Sequence, residues 1–214
     1  ATLSNDRAAS MPPKRNARGA EDAPQPAKRA NRGGGVASSS RSNPALNKKL
    51  LAAAGKGEIA KCTKFVAEGA DVNAKGQGNW TPLHKCARDG NSPDLAEVAA
   101  LLIKHGADIE AQNNQGARAV HLAPFPKNIG VARVLVEAKA DLEAVDGCGR
   151  TALHVAAFAN SPDVCRLYLE AGADTNAKCK PVLLEGPGET ALQYARSCGG
   201  RDEVIAVLEA FKPK

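Results

Sequence analysis

The chain has 214 residues, 43% of them hydrophobic and 24% charged, but only 3% aromatic. That length suits one compact domain or one short repeat array, and so few rings favour thin alanine-rich helical layers over a thick globular core. The formal charge of +6 is unevenly placed: residues 1–49 hold ten Lys+Arg and three Asp+Glu, a balance of +7, and residues 50–214 hold nineteen and twenty, a balance of −1. A near-neutral ordered region excludes a fold covered in positive charge for polyanions, and leaves any such contact to the N-terminal tail.

Residues 1–45 read as a disordered basic tail. Residues 1–10 precede the one methionine, Met11, and carry no part of the functional reading. From Met11 to Asn47 only Val36 and Leu46 add branched apolar surface, too little to offset the entropy of ordering the segment. Lys14-Arg15 and Lys28-Arg29-Ala30-Asn31-Arg32 form two basic clusters twelve residues apart, a spacing that resembles a bipartite nuclear-import signal. An extended chain can seat two such clusters in two acidic grooves of an import carrier while the spacer loops out. The alternative is a flexible arm that keeps the chain soluble or touches RNA, to which Arg32-Gly33-Gly34-Gly35 would contribute.

Beyond the tail one phrase recurs: Trp80-Thr81-Pro82-Leu83-His84, Arg118-Ala119-Val120-His121, Thr151-Ala152-Leu153-His154 and Thr190-Ala191-Leu192-Gln193, at offsets of 37, 33 and 39 residues. A second keeps step with it: Gly69-Ala70-Asp71, Gly106-Ala107-Asp108, Lys139-Ala140-Asp141 and Gly172-Ala173-Asp174. Two phrases locked at a period near 33 mean a repeat array. The chain resembles the ankyrin-repeat family on these motifs, in five units over about residues 46–211. The expected fold is all-α, a solenoid of stacked helix-turn-helix units joined by hairpin loops, with repeats near 46–79, 80–116, 117–149, 150–188 and 189–214.

Local chemistry points the same way. Pro82 stands where a first helical turn begins and its missing N–H costs nothing, while the Gly of each G-A-D stands where a helix stops in the left-handed conformation. Ile59, Cys62, Phe65 and Val66, like Val164, Leu167, Tyr168 and Ala171, give apolar faces at helical spacing. Ser92-Pro93-Asp94 and Ser161-Pro162-Asp163 open second helices with a capping Ser, a first-turn Pro and an Asp suited to the dipole. The four extra residues of unit two amount to about one turn of 3.6, which a longer second helix absorbs without rotating its apolar face away. The first unit, with Leu50-Leu51-Ala52-Ala53-Ala54, and the last, with Gln193 for His, read as caps.

Two places depart from the pattern. In unit three Lys139 replaces the terminating Gly, at a cost on the order of 1 kcal/mol if the left-handed turn is kept. Pro124 and Pro126 fall where its first helix should continue, so that helix is expected to stop near Ala123 and leave Phe125 in an irregular bend. The long connection 179–188 carries an apolar triplet, Val182-Leu183-Leu184, that either folds back on the stack or forms a docking strip.

Six cysteines show no C-x-x-C pair and read as free thiols of a reducing compartment. Cys62, Cys86 and Cys165 fall on apolar helix positions, while Cys148 and Cys179 fall in loops where exposure is expected. The longest clear apolar run, 98–103, is far short of the roughly 20 residues of a membrane span, so no membrane role is expected. No nucleotide-loop, nucleophile-elbow or zinc-helix phrase is present, so neither catalysis nor a cofactor is expected. The resemblance implies that His84, His121 and His154 hydrogen-bond backbone between adjacent units, aided by Thr81 and Thr151. It also makes Asn73 and Asn176 match a position that oxygenases hydroxylate in the family.

The resemblance further implies that partners are held by hairpin tips and the exposed side of first helices. Those positions here are Gln77, Trp80, Arg88, Asp89, Asn114, Gln115, Phe125, Cys148, Arg150 and Phe158. Exposed aromatics and Arg are what binding hot spots are made of; the alternative for Trp80 and Phe158 is ordinary packing against adjacent helices. The expected function is a protein-interaction adaptor or regulator, intracellular, in the cytoplasm or nucleus. Two alternatives stay open: a tail-driven nucleic-acid or chromatin binder with the repeats as scaffold, and a direct protein inhibitor of an enzyme such as a kinase.

Overall fold

The computed structural model describes residues 43–89, 92–125, 128–179 and 188–211. The basic clusters of the tail (Lys14, Arg15, Lys28, Arg29, Arg32), Pro126 and the Val182-Leu183-Leu184 triplet lie outside them. The described residues form ten α-helices in five antiparallel pairs: α1 (Pro44–Lys56) with α2 (Ile59–Ala67), α3 (Pro82–Arg88) with α4 (Asp94–Lys104), α5 (Ala119–Leu122) with α6 (Ile129–Glu137), α7 (Ala152–Phe158) with α8 (Pro162–Glu170), and α9 (Ala191–Cys198) with α10 (Asp202–Ala210). First helices stack on one another in the order α1, α3, α5, α7, α9, and second helices stack behind them.

Capping sets the starts of these helices. Asn43 accepts from the backbone N–H groups of Ala45 and Leu46 at the head of α1, and Thr81 accepts from His84 N–H at the head of α3, where Pro82 takes the first position. The stops are left-handed residues at Gly69, Gly106, Gly172 and, without glycine, Lys139 with φ 66°. Lys139 N–H still donates to Val136 and Ala140 N–H to Leu135, as Gly69 and Ala70 do to Val66 and Phe65. The turn geometry is therefore kept at the expense of a strained side-chain-bearing residue. Between these marks the core is Leu and Ala, with Leu50, Leu83, Leu95, Leu102, Leu135, Leu153 and Leu169 buried and Ala54, Ala87, Ala99, Ala132 and Ala156 letting neighbours approach closely.

The second helices differ in one respect from the sequence reading. Ser92 accepts from Asp94 N–H at 3.3 Å, an ordinary start for α4. Ser161 precedes Pro162 but does not cap α8: it is buried and its hydroxyl donates to the carbonyl of Pro124 at 2.6 Å. The four extra residues of unit two are also shared out. α4 has eleven residues against nine in α8, and the connection from α3 to α4 is two residues longer than that from α7 to α8.

Unit three shows what prolines do to a stacked helix. α5 has only four residues and ends at Leu122, with Ala123 as its C-cap, and Phe125 follows in a turn with its N–H on Leu122. Pro124 has no N–H to offer the carbonyl of Val120, four residues back. The phenol of Tyr168, buried on α8, donates to that carbonyl at 2.8 Å. Tyr168 and Ser161 of the next unit thus supply hydrogen bonds to two carbonyls of the broken segment, Val120 and Pro124.

Cys62, Cys86 and Cys165 are buried as small hydrophobes, and burial pushes the thiols of Cys62 to about 11 and Cys165 to about 12. Cys148 and Cys198 are exposed. Cys179 corrects the loop expectation: it is buried, because its N–H pairs with Glu189 and the neighbouring Lys178 bridges Thr190, drawing the strand-like segment onto α9. Among the described residues no helix is long and apolar enough to cross a membrane.

Candidate partner-binding face

The hairpins that project between units are held by a repeated set of bonds. His84 Nε2 meets Ala117 O at 3.0 Å, His121 Nε2 meets Ala144 O at 2.9 Å and His154 Nε2 meets Glu189 O at 2.9 Å, each carbonyl belonging to the next hairpin. Nδ1 of His84 accepts from the N–H of Thr81, and Thr81 and Thr151 hydroxyls lie 2.7 Å from Nδ1 of His84 and His154, so the proton resides on Nε2, which donates across the unit boundary. Burial holds all three imidazoles below their usual pKa, partly countered by the accepting carbonyls. Arg118 replaces Thr in unit three, where its backbone N–H alone serves His121. The three rings are thus occupied by structural bonds, and no cluster of three or more His, Cys, Asp or Glu is assembled to hold a metal among the described residues.

Asp residues of the second phrase close the turns. Asp71, Asp108, Asp141 and Asp174 accept from the N–H two residues on; the N–H groups of Asp108, Asp141 and Asp174 go to Asn73, Glu110 and Glu143 of the preceding unit, and that of Asp71 to Asn47 on α1 of its own unit. Asn73 is engaged at both ends of its amide, donating to Gly106 O and accepting from Asp108 N. Hairpin tips are joined directly as well: Asn114 N–H donates to Gly78 O and Gly147 N–H to Gln115 O. The tips therefore form a continuous edge beside the first helices.

A groove of about 800 Å³ runs along that edge, and eight of the ten expected residues line it: Trp80, Arg88, Asn114, Gln115, Phe125, Cys148, Arg150 and Phe158. Gln77 and Asp89 line the adjoining recess at the N-terminal end instead, with Lys85 between Asp89 and the Trp80 ring. Arg88, Phe125 and Phe158 stand seven residues after Thr81, Arg118 and Thr151 respectively, so stacking brings them into one column. The Arg88 guanidinium lies 4.7 Å from the centre of the Phe125 ring, and Phe125 meets Phe158 edge to face at 6.3 Å. Phe125 and Phe158 remain 36% and 37% exposed. Trp80 is half-buried against the core, so packing explains part of its place, and Lys85 sits 5.1 Å over its ring.

Two residues of this surface escaped sequence reasoning. Tyr194 of α9 continues the ring line, 6.0 Å from Phe158. Its signal was available, since it lies one helical turn from the column position and shares that face. Arg201 stacks 5.4 Å from the Phe158 ring and donates to Phe158 O at 2.8 and 3.1 Å. It stands at the start of α10, the place that Asn128 and Ser161 hold before α6 and α8, and no other unit puts an Arg there.

Among the described residues the groove has one lining carboxylate, Asp146, and it is committed. Asp146 is buried and accepts from the N–H groups of Cys148 and Arg150 at 2.9 Å and from the Arg150 guanidinium at 3.0 and 2.7 Å. Burial alone would raise its pKa, but the Arg150 hydrogen bonds more than offset this and hold it below the usual carboxylate value. Burial works against Arg150 too, and Asp146 more than compensates. Asn113 occupies the same place one hairpin earlier, its Oδ1 accepting from Gln115 and Ala117 N–H. In both hairpins a short polar side chain folds the tip rather than facing the groove.

Comparison with known proteins agrees with this architecture. The family profile "Ankyrin repeats (3 copies)" matches residues 50–146 and again 127–212. The chain belongs to the ankyrin-repeat family. Similar relatives include Ankyrin repeat and SOCS box protein 9 of Homo sapiens, 44% identical over 61 residues, or 28% of this chain and 19% of that protein. Notch-regulated ankyrin repeat-containing protein A of Danio rerio is 42% identical over 55 residues, 26% of this chain and 46% of its own length. Protein phosphatase 1 regulatory subunit 27 of Homo sapiens is 37% identical over 57 residues, 26% of this chain and 34% of its own. The matched stretch spans less than half the length of each of these relatives.

Proposed function

We propose that this ankyrin-repeat chain is a protein-interaction module, an adaptor or regulator rather than a catalyst, whose groove grips a segment of a partner protein. The observation that carries this is the column Arg88, Phe125, Phe158 with Tyr194 beside it. The core is filled by Leu and Ala, so the stack does not need rings at those positions, and rings over one-third exposed beside Arg are the composition of an interface anchor. A relative named as a regulatory subunit supports the same class of role. In this proposal the tail's clusters, Lys14-Arg15 and Lys28-Arg29 with Arg32, serve an import carrier, which would place the chain in the nucleus as well as the cytoplasm.

A quantitative pulldown from native lysate tests the groove, comparing the whole chain with a Trp80→Ala/Phe158→Ala variant shown by circular dichroism to be folded. Partners retained by the wild type and lost from the folded variant support the proposal. Partners that the variant keeps, and that wash off with salt or nuclease, would move the function to the tail.

A further inference from the structure

We infer that the groove's occupant is an acidic peptide segment of the partner, whose carboxylates are taken by Arg88 and Arg201. This rests on the groove reading above and adds the chemistry of what binds. Residues 50–214 carry a net charge of −1, yet the face described here is cationic. Its N-terminal recess holds Lys48, Lys56, Lys75 and Lys85 against Asp71 and Asp89. Its aromatic stretch holds the lone lining carboxylate Asp146, already engaged by Arg150.

Arg88 and Arg201 have no carboxylate within ion-pair distance among the described residues. Both are held in place by rings. Arg88 lies over Phe125, and Arg201 lies over Phe158 while its Nη1 donates to Gly199 O at 2.8 Å. Stacking leaves guanidinium N–H groups available to a carboxylate with little rotamer freedom left to lose on binding. Arg88 offers a planar, bidentate edge, while Arg201, whose Nε, Nη1 and Nη2 each already give one N–H to a backbone carbonyl, keeps one N–H on each terminal nitrogen. The rings therefore serve as platforms that aim cations. The chain's own tail, at +7 over residues 1–49, is the wrong sign to fill this face.

Single-stranded nucleic acid would satisfy the charge but not the rings. Bases bind such grooves by stacking on open aromatic faces. Arg150 and Arg201 approach the Phe158 ring within 5.7 and 5.4 Å, and Phe125 and Tyr194 flank it at 6.3 and 6.0 Å. Phe125 is similarly covered by Arg88. Carboxylates need guanidinium N–H groups, which Arg88 and the unspent donors of Arg201 offer; bases need ring faces, against which guanidinium groups and neighbouring rings already stand.

The test is selection of a displayed random peptide library of about twelve residues, long enough at about 3.3 Å per residue to follow the groove. The full chain is the bait, with a soluble peptide of residues 1–42 in excess to remove library members that adhere to the tail, and the full-length Arg88→Glu/Arg201→Glu variant is kept for the binding assays that follow. The expected pool is enriched in Asp and Glu, and its members bind the double variant more weakly by about tenfold or more. A milder Arg88→Ala variant, which leaves the Arg201 bonds to Phe158 and Gly199 intact, should weaken binding in the same direction. An oligouridylate probe competes on the same bait.

A neutral or basic pool that depends on Trp80 and Phe158 would overturn the acidic occupant and leave the groove reading intact. An acidic pool indifferent to both arginine variants would overturn it as well. Oligouridylate displacing the selected peptides in an Arg88-dependent way would transfer the face to nucleic acid. A pool that ignores Trp80, Phe158, Arg88 and Arg201 alike would sink the groove reading itself.

Discussion

Replacing Tyr168 by Phe removes one oxygen from a fully buried side chain and leaves the Val120 carbonyl without the donor that Pro124 cannot provide. The ring itself stays, so the cost is that of an unsatisfied buried acceptor, about 1–3 kcal/mol. For a domain of this size that corresponds to a fall in Tm of about 2–4 °C for each kcal/mol lost. Pro124→Ala restores an N–H at the position that follows Ala123, whose backbone is right-handed helical, and so offers Val120 its ordinary helical partner. In that background Tyr168→Phe should cost about 1 kcal/mol less than in the wild type. Urea unfolding followed by circular dichroism measures the four corners of the cycle, with equal m-values required so that free energies compare like with like. Equal cost in both backgrounds, or a single-variant loss within about 0.5 kcal/mol of zero, would refute the compensation of a proline break by the neighbouring unit.

Acid sensitivity should come from the three inter-unit imidazoles. Their folded pKa values lie below the usual one, so the unfolded chain takes protons first, and stability present above about pH 6.5 is lost as pH falls through the folded values. The urea midpoint should drop from pH 7.5 to 5, less steeply in His154→Gln, which copies the cap that Gln193 forms in unit five; a flat midpoint would contradict it. Lys139→Gly should raise stability by about 1 kcal/mol by relieving the left-handed turn, and unchanged thermal unfolding would mean the strain is absent. Asp146→Ala should cost about 2–3 kcal/mol by stripping two hairpin N–H groups and Arg150 of their acceptor. Asp146→Asn should cost less, because Asn113 performs the backbone part of that role one hairpin earlier; equal losses would show that the ion pair, not the tip geometry, dominates.

The helices and their order were legible because each unit writes its own start and stop, as Thr81-Pro82 and Gly69 do, and because two phrases keep one phase. Even Lys139 and the proline-shortened α5 could be read as departures, since the pattern around them defined what they departed from. The face was legible in the same way: register alone places Arg88, Phe125 and Phe158 in one column. What stayed hidden were roles decided by partners in another unit. Ser161 looks like a cap until Pro124 O is seen beside it, Cys179 looks like loop until Glu189 pairs with it, and Arg201 looks like a plain helix-start residue until Phe158 O is seen to accept from it. Local propensity cannot report a hydrogen bond 37 or 43 residues away.

The buried thiols give the stack a built-in set of clocks. Cys62 on α2, Cys86 on α3 and Cys165 on α8 are sealed in the core, and burial holds each as the unreactive thiol form, whereas Cys148 stands open on a hairpin tip. A maleimide would consume Cys148 and the equally exposed Cys198 at once and reach Cys62, Cys86 and Cys165 only when their own units open, so each of those rates measures the local opening of one layer. Three rates taken from one protein would then show whether the array breathes from its ends inward or parts beside the short α5, without a single substitution.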